Sequence, residues 1–200
     1  IYMKKGVFSE NLIQKYVYQL INGLHYAHQK NIIHRDIKGK NVLIDNKGIV
    51  KIADFGSATL TEKDDATNGN SVGMDFESTP LWTAPEVLTT GRYDSQIDIW
   101  STGCCIIEMA TASRPWSECE FNTPFQALFH IGNTDKVPEW PKSLSIQCQA
   151  FIAKCLIRDP KKRYNTTQLL QHPFLKLANN KSLSNGGGHH HSYKVDNRVW

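Results

Sequence analysis

From residue 10 to residue 29 apolar side chains recur at helical spacing. Leu12, Tyr16, Leu20 and Leu24 fall on one face, with Ile13, Val17 and Ile21 beside them. The pattern predicts a helix over 10–29, with Ser9 placed to cap it. The period then shortens. Two apolar, β-branched runs, 42–44 and 49–52, flank Asp45-Asn46-Lys47-Gly48 and predict a hairpin. A hairpin is a stiff support, so Asn41 before it and Asp54 after it are held at a fixed separation. Residues 61–78 are polar and aperiodic, rich in Asp, Asn, Gly, Ser and Thr, and predict a mobile loop. The strongly apolar stretch 96–112 predicts a buried helix. Two more helices are predicted over 144–157 and 166–172, separated at Asp159-Pro160 because proline disfavours helix in the residue before it. Pro115, Pro124, Pro138 and Pro141 break the chain among the helices. The pattern lapses near Asn179, and Gly186-Gly187-Gly188-His189-His190-His191 predicts a flexible tail. The elements together predict a mainly α fold.

Composition narrows the class. Two hundred residues, 40% hydrophobic, suffice for one domain with its own core. The net charge of +4 is small and scattered. The one basic run, Lys161-Lys162-Arg163, is expected to be a solvated face, so no nucleic-acid partner is implied. Five cysteines, Cys104, Cys105, Cys119, Cys148 and Cys155, form no Cys-x-x-Cys. An odd number fits reduced thiols in a reducing compartment, hence a cytoplasmic location. His189 to His191 could hold a metal, but a solvated tail or a purification tag is the simpler reading. No apolar run nears the roughly 20 residues of a membrane span, so no membrane partner is expected.

The chemistry lies in three short motifs. His34-Arg35-Asp36-Ile37-Lys38-Gly39-Lys40-Asn41 comes first, then Asp54-Phe55-Gly56, then Ala84-Pro85-Glu86. Each alone is weak. In this order and spacing they match the catalytic loop, metal-binding turn and activation-segment end of a protein kinase. The resemblance runs from about Gly6 to Lys176. Phe8-Ser9-Glu10, Gly23-Leu24-His25-Tyr26-Ala27-His28, Asp98-Ile99-Trp100-Ser101, Glu108-Met109-Ala110-Thr111 and His172-Pro173-Phe174 extend it. These residues resemble the STE group of serine/threonine kinases, and within it the mitogen-activated protein kinase kinase kinase subfamily. No Gly-x-Gly-x-x-Gly and no Val-Ala-x-Lys precedes His34, and the first residue is Ile1. The fold expected from the resemblance is therefore a kinase C-lobe over 1–177, a helical bundle with short β-hairpins at the catalytic loop. Its N-lobe is expected to be missing here and supplied by the same protein, and 178–200 to be the tail.

The resemblance also implies roles. Asp36 would be the catalytic base, and Lys38 would lie against the transferring phosphate. Asn41 and Asp54 would ligate Mg²⁺, a hard cation that takes oxygen ligands and bridges phosphates. Leu43 would form part of the floor under the adenine of ATP, so Lys38, Asn41, Leu43 and Asp54 would line the nucleotide. His34 and Phe55 would stack between the lobes, and Gly56 would permit the turn that follows. Arg35 would pair with a phosphate added to the loop, with Thr67, Ser71 and Ser78 as candidate acceptors. Thr79 resembles the threonine that bonds near Asp36 and Lys38 and favours Ser/Thr substrates. Glu86 and Arg163 resemble a buried ion pair, and Asp98 the carboxylate that holds the catalytic-loop backbone. Ser78, Leu81, Thr83, Tyr164 and Lys40 depart from the usual pattern without removing a catalytic group; Leu81 and Thr83 leave substrate preference open.

The function so implied is transfer of the ATP γ-phosphate to Ser or Thr of a protein, by resemblance a downstream MAP kinase kinase. The alternative is a catalytically weak fragment or pseudokinase that acts as a protein-binding module. For this chain alone, ATP held from one side only, weak or absent activity is expected.

Overall fold

A computed structural model describes residues 6–60, 80–91 and 93–176. Thr67, Ser71, Ser78, Thr79, the expected loop, the expected tail and His189 to His191 lie outside them.

Helix α1, Glu10–Gln29, buries Ile13, Val17, Leu20, Ile21, Leu24 and Ala27. The buried stripe is rotated from the expected face, leaving Leu12 and Tyr16 half-buried at its edge. Ser9 occupies the N-cap position, but its side chain makes no capping bond. The Ser9 carbonyl instead accepts the N–H groups of Leu12 and Ile13. Glu10 turns to Ser145, accepting its N–H at 2.8 Å and its hydroxyl at 2.5 Å.

After β1, Ile32–Ile33, the hairpin forms from β2, Val42–Ile44, and β3, Val50–Ile52, paired Val42↔Ile52, Leu43↔Lys51 and Ile44↔Val50. Its turn is closed by the Gly48 N–H on the Asp45 carbonyl, and Asp45 Oδ1 accepts from Lys47 and Ile49 at 2.9 Å each. Gly48 sits at φ +75, where a Cβ would be strained. Gln19 pins the hairpin to α1: it accepts the Val50 N–H at 3.0 Å and donates to the Gly48 carbonyl at 3.2 Å. A second pairing, β1 with β4, Thr59–Leu60, spans two residues on each strand and offered no readable alternation.

Five more helices complete the described residues: α2 (Pro85–Thr90), α3 (Gln96–Thr111), α4 (Pro124–Asn133), α5 (Ile146–Cys155) and α6 (Thr166–Leu170). The pattern did not predict α2 or α4. Each begins on a proline, which is tolerated at the first helical position because that N–H has no partner within the helix. For α4, Thr123 Oγ1 accepts the Gln126 N–H at 3.2 Å. None of these helices is long and apolar enough to cross a membrane.

Helix α3 is the central column. Ile97, Ile99, Trp100, Cys104, Cys105, Ile106, Ile107 and Met109 are all buried, which explains its unbroken apolar sequence. All five thiols are free, and burial raises the pKa of Cys104 and lifts Cys148 to about 12, so these serve packing rather than nucleophilic chemistry. Gly103 lets α5 approach: a Cβ there would meet Leu156 at 2.8 Å and the Cys155 Cβ at 2.9 Å. The Cys155 Cβ cannot rotate away. Gly103→Ala is therefore expected to destabilise the protein, since overpacking of about 1–3 kcal/mol outweighs a helix-propensity gain of about 1 kcal/mol. A melting temperature at or above the wild type would count against this contact.

Candidate active site

The site begins with a buried acid. Asp98, at the start of α3, is wholly enclosed. Its carboxylate accepts the backbone N–H groups of His34 and Arg35, each at 2.9 Å, and meets His28 Nε2 at 2.8 Å. An Asp in an apolar helix needs such partners. The two bonds also hold Arg35 at φ 69, a conformation that costs a non-glycine residue roughly 1–3 kcal/mol. The Arg35 guanidinium lies over the Tyr93 ring, 4.4 Å from its centroid.

His34 is fully buried and meets Phe55 edge-on, the ring planes at 71° and the centroids 4.7 Å apart. Its Nε2 lies 3.0 Å from the Ala53 carbonyl, which can only accept, so Nε2 carries the proton. Nδ1 is then free to accept the Asp36 N–H at 3.3 Å.

Two of the candidate catalytic side chains converge on one oxygen of a third. Asp36 Oδ2 receives Lys38 Nζ at 2.8 Å and Asn41 Nδ2 at 2.8 Å. Asn41 Nδ2 also donates to the Asp36 carbonyl at 2.8 Å, which orients the amide. Its Oδ1, the one atom of that amide able to ligate a cation, accepts no hydrogen bond among the described residues. The Asn41 carbonyl accepts the Ala53 N–H at 2.8 Å, extending the ladder one step beyond Val42↔Ile52. Asp54 follows directly, so the hairpin sets Asn41 and Asp54 at the same end. The Asp54 side chain is exposed and makes no hydrogen bond or ion pair among the described residues.

The left-handed residue at the entry to the Phe55–Ser57 turn is Asp54, at φ 64 and ψ 69, a conformation Asp tolerates better than most residues. Gly56 lies in the 3₁₀ turn Phe55–Ser57, where a Cβ would stand 3.3 Å from Asp54 Oδ1. Leu43 is not core packing: it is 48% exposed on the hairpin surface.

The donors fit Mg²⁺. Asn41 Oδ1 and the Asp54 carboxylate are hard oxygens, and no group of three or more His, Cys, Asp or Glu suited to another metal occurs among the described residues. Mg²⁺ needs few protein ligands when phosphates and waters supply the rest.

Farther from the loop, Arg163 grips Glu86 with both terminal nitrogens, at 2.6 and 2.9 Å, and both residues are buried. Arg163 also donates to the carbonyls of Ile157, Gln96 and Arg158, and lies over Trp100. This anchors the start of α2 to the segment between α5 and α6.

Sequence reasoning missed His28, Tyr93 and Glu108. Glu108 had a readable signal, a carboxylate inside an apolar helix. It accepts the Gly39 N–H at 3.0 Å.

A loop carboxylate gripped by a lysine and an amide, with two hard oxygens at the end of the hairpin, offers the positioned charge and cation ligands that phosphoryl transfer calls for. The sequence agrees: residues 1–175 match the protein kinase domain, and the chain belongs to that family. Mitogen-activated protein kinase kinase kinase 3 of Arabidopsis thaliana is 44% identical over 172 residues, covering 86% of this chain and 26% of that protein. Mitogen-activated protein kinase kinase kinase A of Dictyostelium discoideum is 43% identical over 176 residues, 86% of this chain and 18% of its own length. Mitogen-activated protein kinase kinase kinase MST11 of Pyricularia oryzae is 40% identical over 173 residues, 85% of this chain and 19% of that protein. The chain thus spans about a quarter or less of these curated relatives. The family match starts at residue 1, so it gives no support to the expected absence of an N-lobe.

Proposed function

We propose that the protein is a serine/threonine kinase that passes the γ-phosphate of ATP to another kinase of a MAP kinase cascade. In this reading the present chain supplies the lower, helix-rich lobe of the kinase domain. The observation that carries it is the convergence of Lys38 Nζ and Asn41 Nδ2 on Asp36 Oδ2, both at 2.8 Å. Both donors occupy one oxygen and leave Asp36 Oδ1 to orient the substrate hydroxyl and accept its proton. Lys38, nearly buried, offsets negative charge beside that oxygen. Asn41 Oδ1 and Asp54 would hold Mg²⁺, which when bound neutralises charge on the phosphates. Leu43 presents an exposed apolar side chain on the hairpin for the adenine ring. Arg35 would answer a phosphate on Thr67, Ser71 or Ser78, and Thr79 would favour Ser/Thr acceptors. The identities to mitogen-activated protein kinase kinase kinases support the cascade.

The test is transfer of labelled γ-phosphate from Mg-ATP by the full protein, wild type against Asp54→Asn. The variant is expected to fall to background, because the amide keeps the shape but loses the charge that holds the cation. Equal signals from both proteins would overturn the reading and favour a module that binds proteins without catalysis.

A further inference from the structure

Helix α3 carries two carboxylates, and the established motifs account for only the first. Asp98 grips the catalytic loop at residues 34 and 35. Ten residues on, about 15 Å along the helix, Glu108 reaches the other end of the same loop. We propose that Glu108 is a positioning residue for catalysis: its carboxylate clamps the loop at the Gly39 N–H and thereby sets Lys38 and Asn41 against Asp36. The inference rests on the kinase reading above.

The geometry is close. The Gly39 N–H donates to Glu108 Oε2 at 3.0 Å. A Cβ on Gly39 would stand 2.6 Å from each Glu108 carboxylate oxygen and 2.7 Å from Cδ. Gly39 is thus needed for close approach rather than for its backbone angles, since its φ is not in the left-handed region. Gly39 opens the 3₁₀ turn Gly39–Asn41, in which the Asn41 N–H returns to the Lys38 carbonyl at 2.9 Å. That turn aims the Asn41 amide at Asp36, and the residue before it, Lys38, supplies the ion pair.

The environment agrees with a clamp. Burial pushes the Glu108 carboxyl above the usual carboxylate range, and the Gly39 N–H opposes that shift. A carboxylate kept in apolar surroundings is costly unless it is bonded, and a charge-assisted bond to a backbone N–H answers that cost.

The experiment compares full protein carrying Glu108→Ala, Glu108→Gln or Gly39→Ala with wild type. It reads kcat and the ATP KM per mole of folded protein, and amide hydrogen exchange at residue 39. Glu108→Ala is expected to lower kcat about 10–100-fold, the range of a lost charge-assisted hydrogen bond, with KM little changed. Glu108→Gln, which keeps an acceptor oxygen, restores most of the loss. The Gly39 amide exchanges faster in Glu108→Ala than in wild type. A kcat equal to wild type in Glu108→Ala, or equal Gly39 exchange, overturns the proposal. If Glu108→Ala does not fold, Gly39→Ala must lose kcat while Glu108→Gln does not; any other outcome overturns it. A wild type without transfer activity would defeat the kinase reading instead, and Gly39 exchange would still decide the clamp.

Discussion

Replacing Asp36 by asparagine is expected to slow phosphoryl transfer by about 10²–10⁴-fold, the range of a lost general base. The change keeps the side-chain shape, so the amide oxygen can still accept from Asn41 Nδ2, which now lies 2.8 Å from the carboxylate. What disappears is the negative charge and the capacity to take a proton. Lys38 Nζ, paired at 2.8 Å and largely buried, also loses its counter-charge. A small fall in stability is therefore expected beside the large fall in rate. Initial rates at saturating Mg-ATP, read with the melting temperature, separate the two effects. A rate within about twofold of wild type would remove Asp36 from the chemistry.

Arg163→Ala is expected to cost about 3–5 kcal/mol, because it strands a buried carboxylate. The Glu86 carboxylate would lose both of its hydrogen bonds from Arg163, at 2.6 and 2.9 Å, and three carbonyls would lose a donor. Against a total stability of about 5–15 kcal/mol, that is a large fraction. At about 2–4 °C per kcal/mol for a chain of this size, the melting temperature should fall by roughly 6–20 °C. The double variant with Glu86→Ala should cost less than the sum of the two single changes, since the second removal strands nothing new. Urea unfolding of the four proteins checks both statements, and an unchanged midpoint in Arg163→Ala would show that the pair adds nothing to stability.

Much of the site was legible because its parts are local. Asn41 and Asp54 flank a hairpin whose turn residues and β-branched runs are visible in the sequence, and the hairpin forms over 42–52. Glu86 with Arg163, and Asp98 with the loop, could be named only by resemblance, since those partners lie 77 and 64 residues apart in the chain. Periodicity found α1 and α3, where a long stripe or an unbroken apolar run leaves no competing period. It misses α2, too short for a period to register, and α4, where Pro124 reads as a break and is the helix start. Nothing in the pattern marks Asp54, two residues after the end of β3, as the residue that takes up a left-handed backbone.

Helix α3 has a consequence for motion. It is the most enclosed element described, and through Asp98 it holds the loop at His34 and Arg35 by two backbone amides. Those amides cannot open to water unless the helix beneath them lets go. Solvent exchange at His34 and Arg35 should then need nearly the full unfolding free energy, as in a protein's last-opening cooperative unit, while the hairpin tip at Asn46 and Lys47 breathes readily. The rigidity of this loop is borrowed from the deepest part of the described molecule.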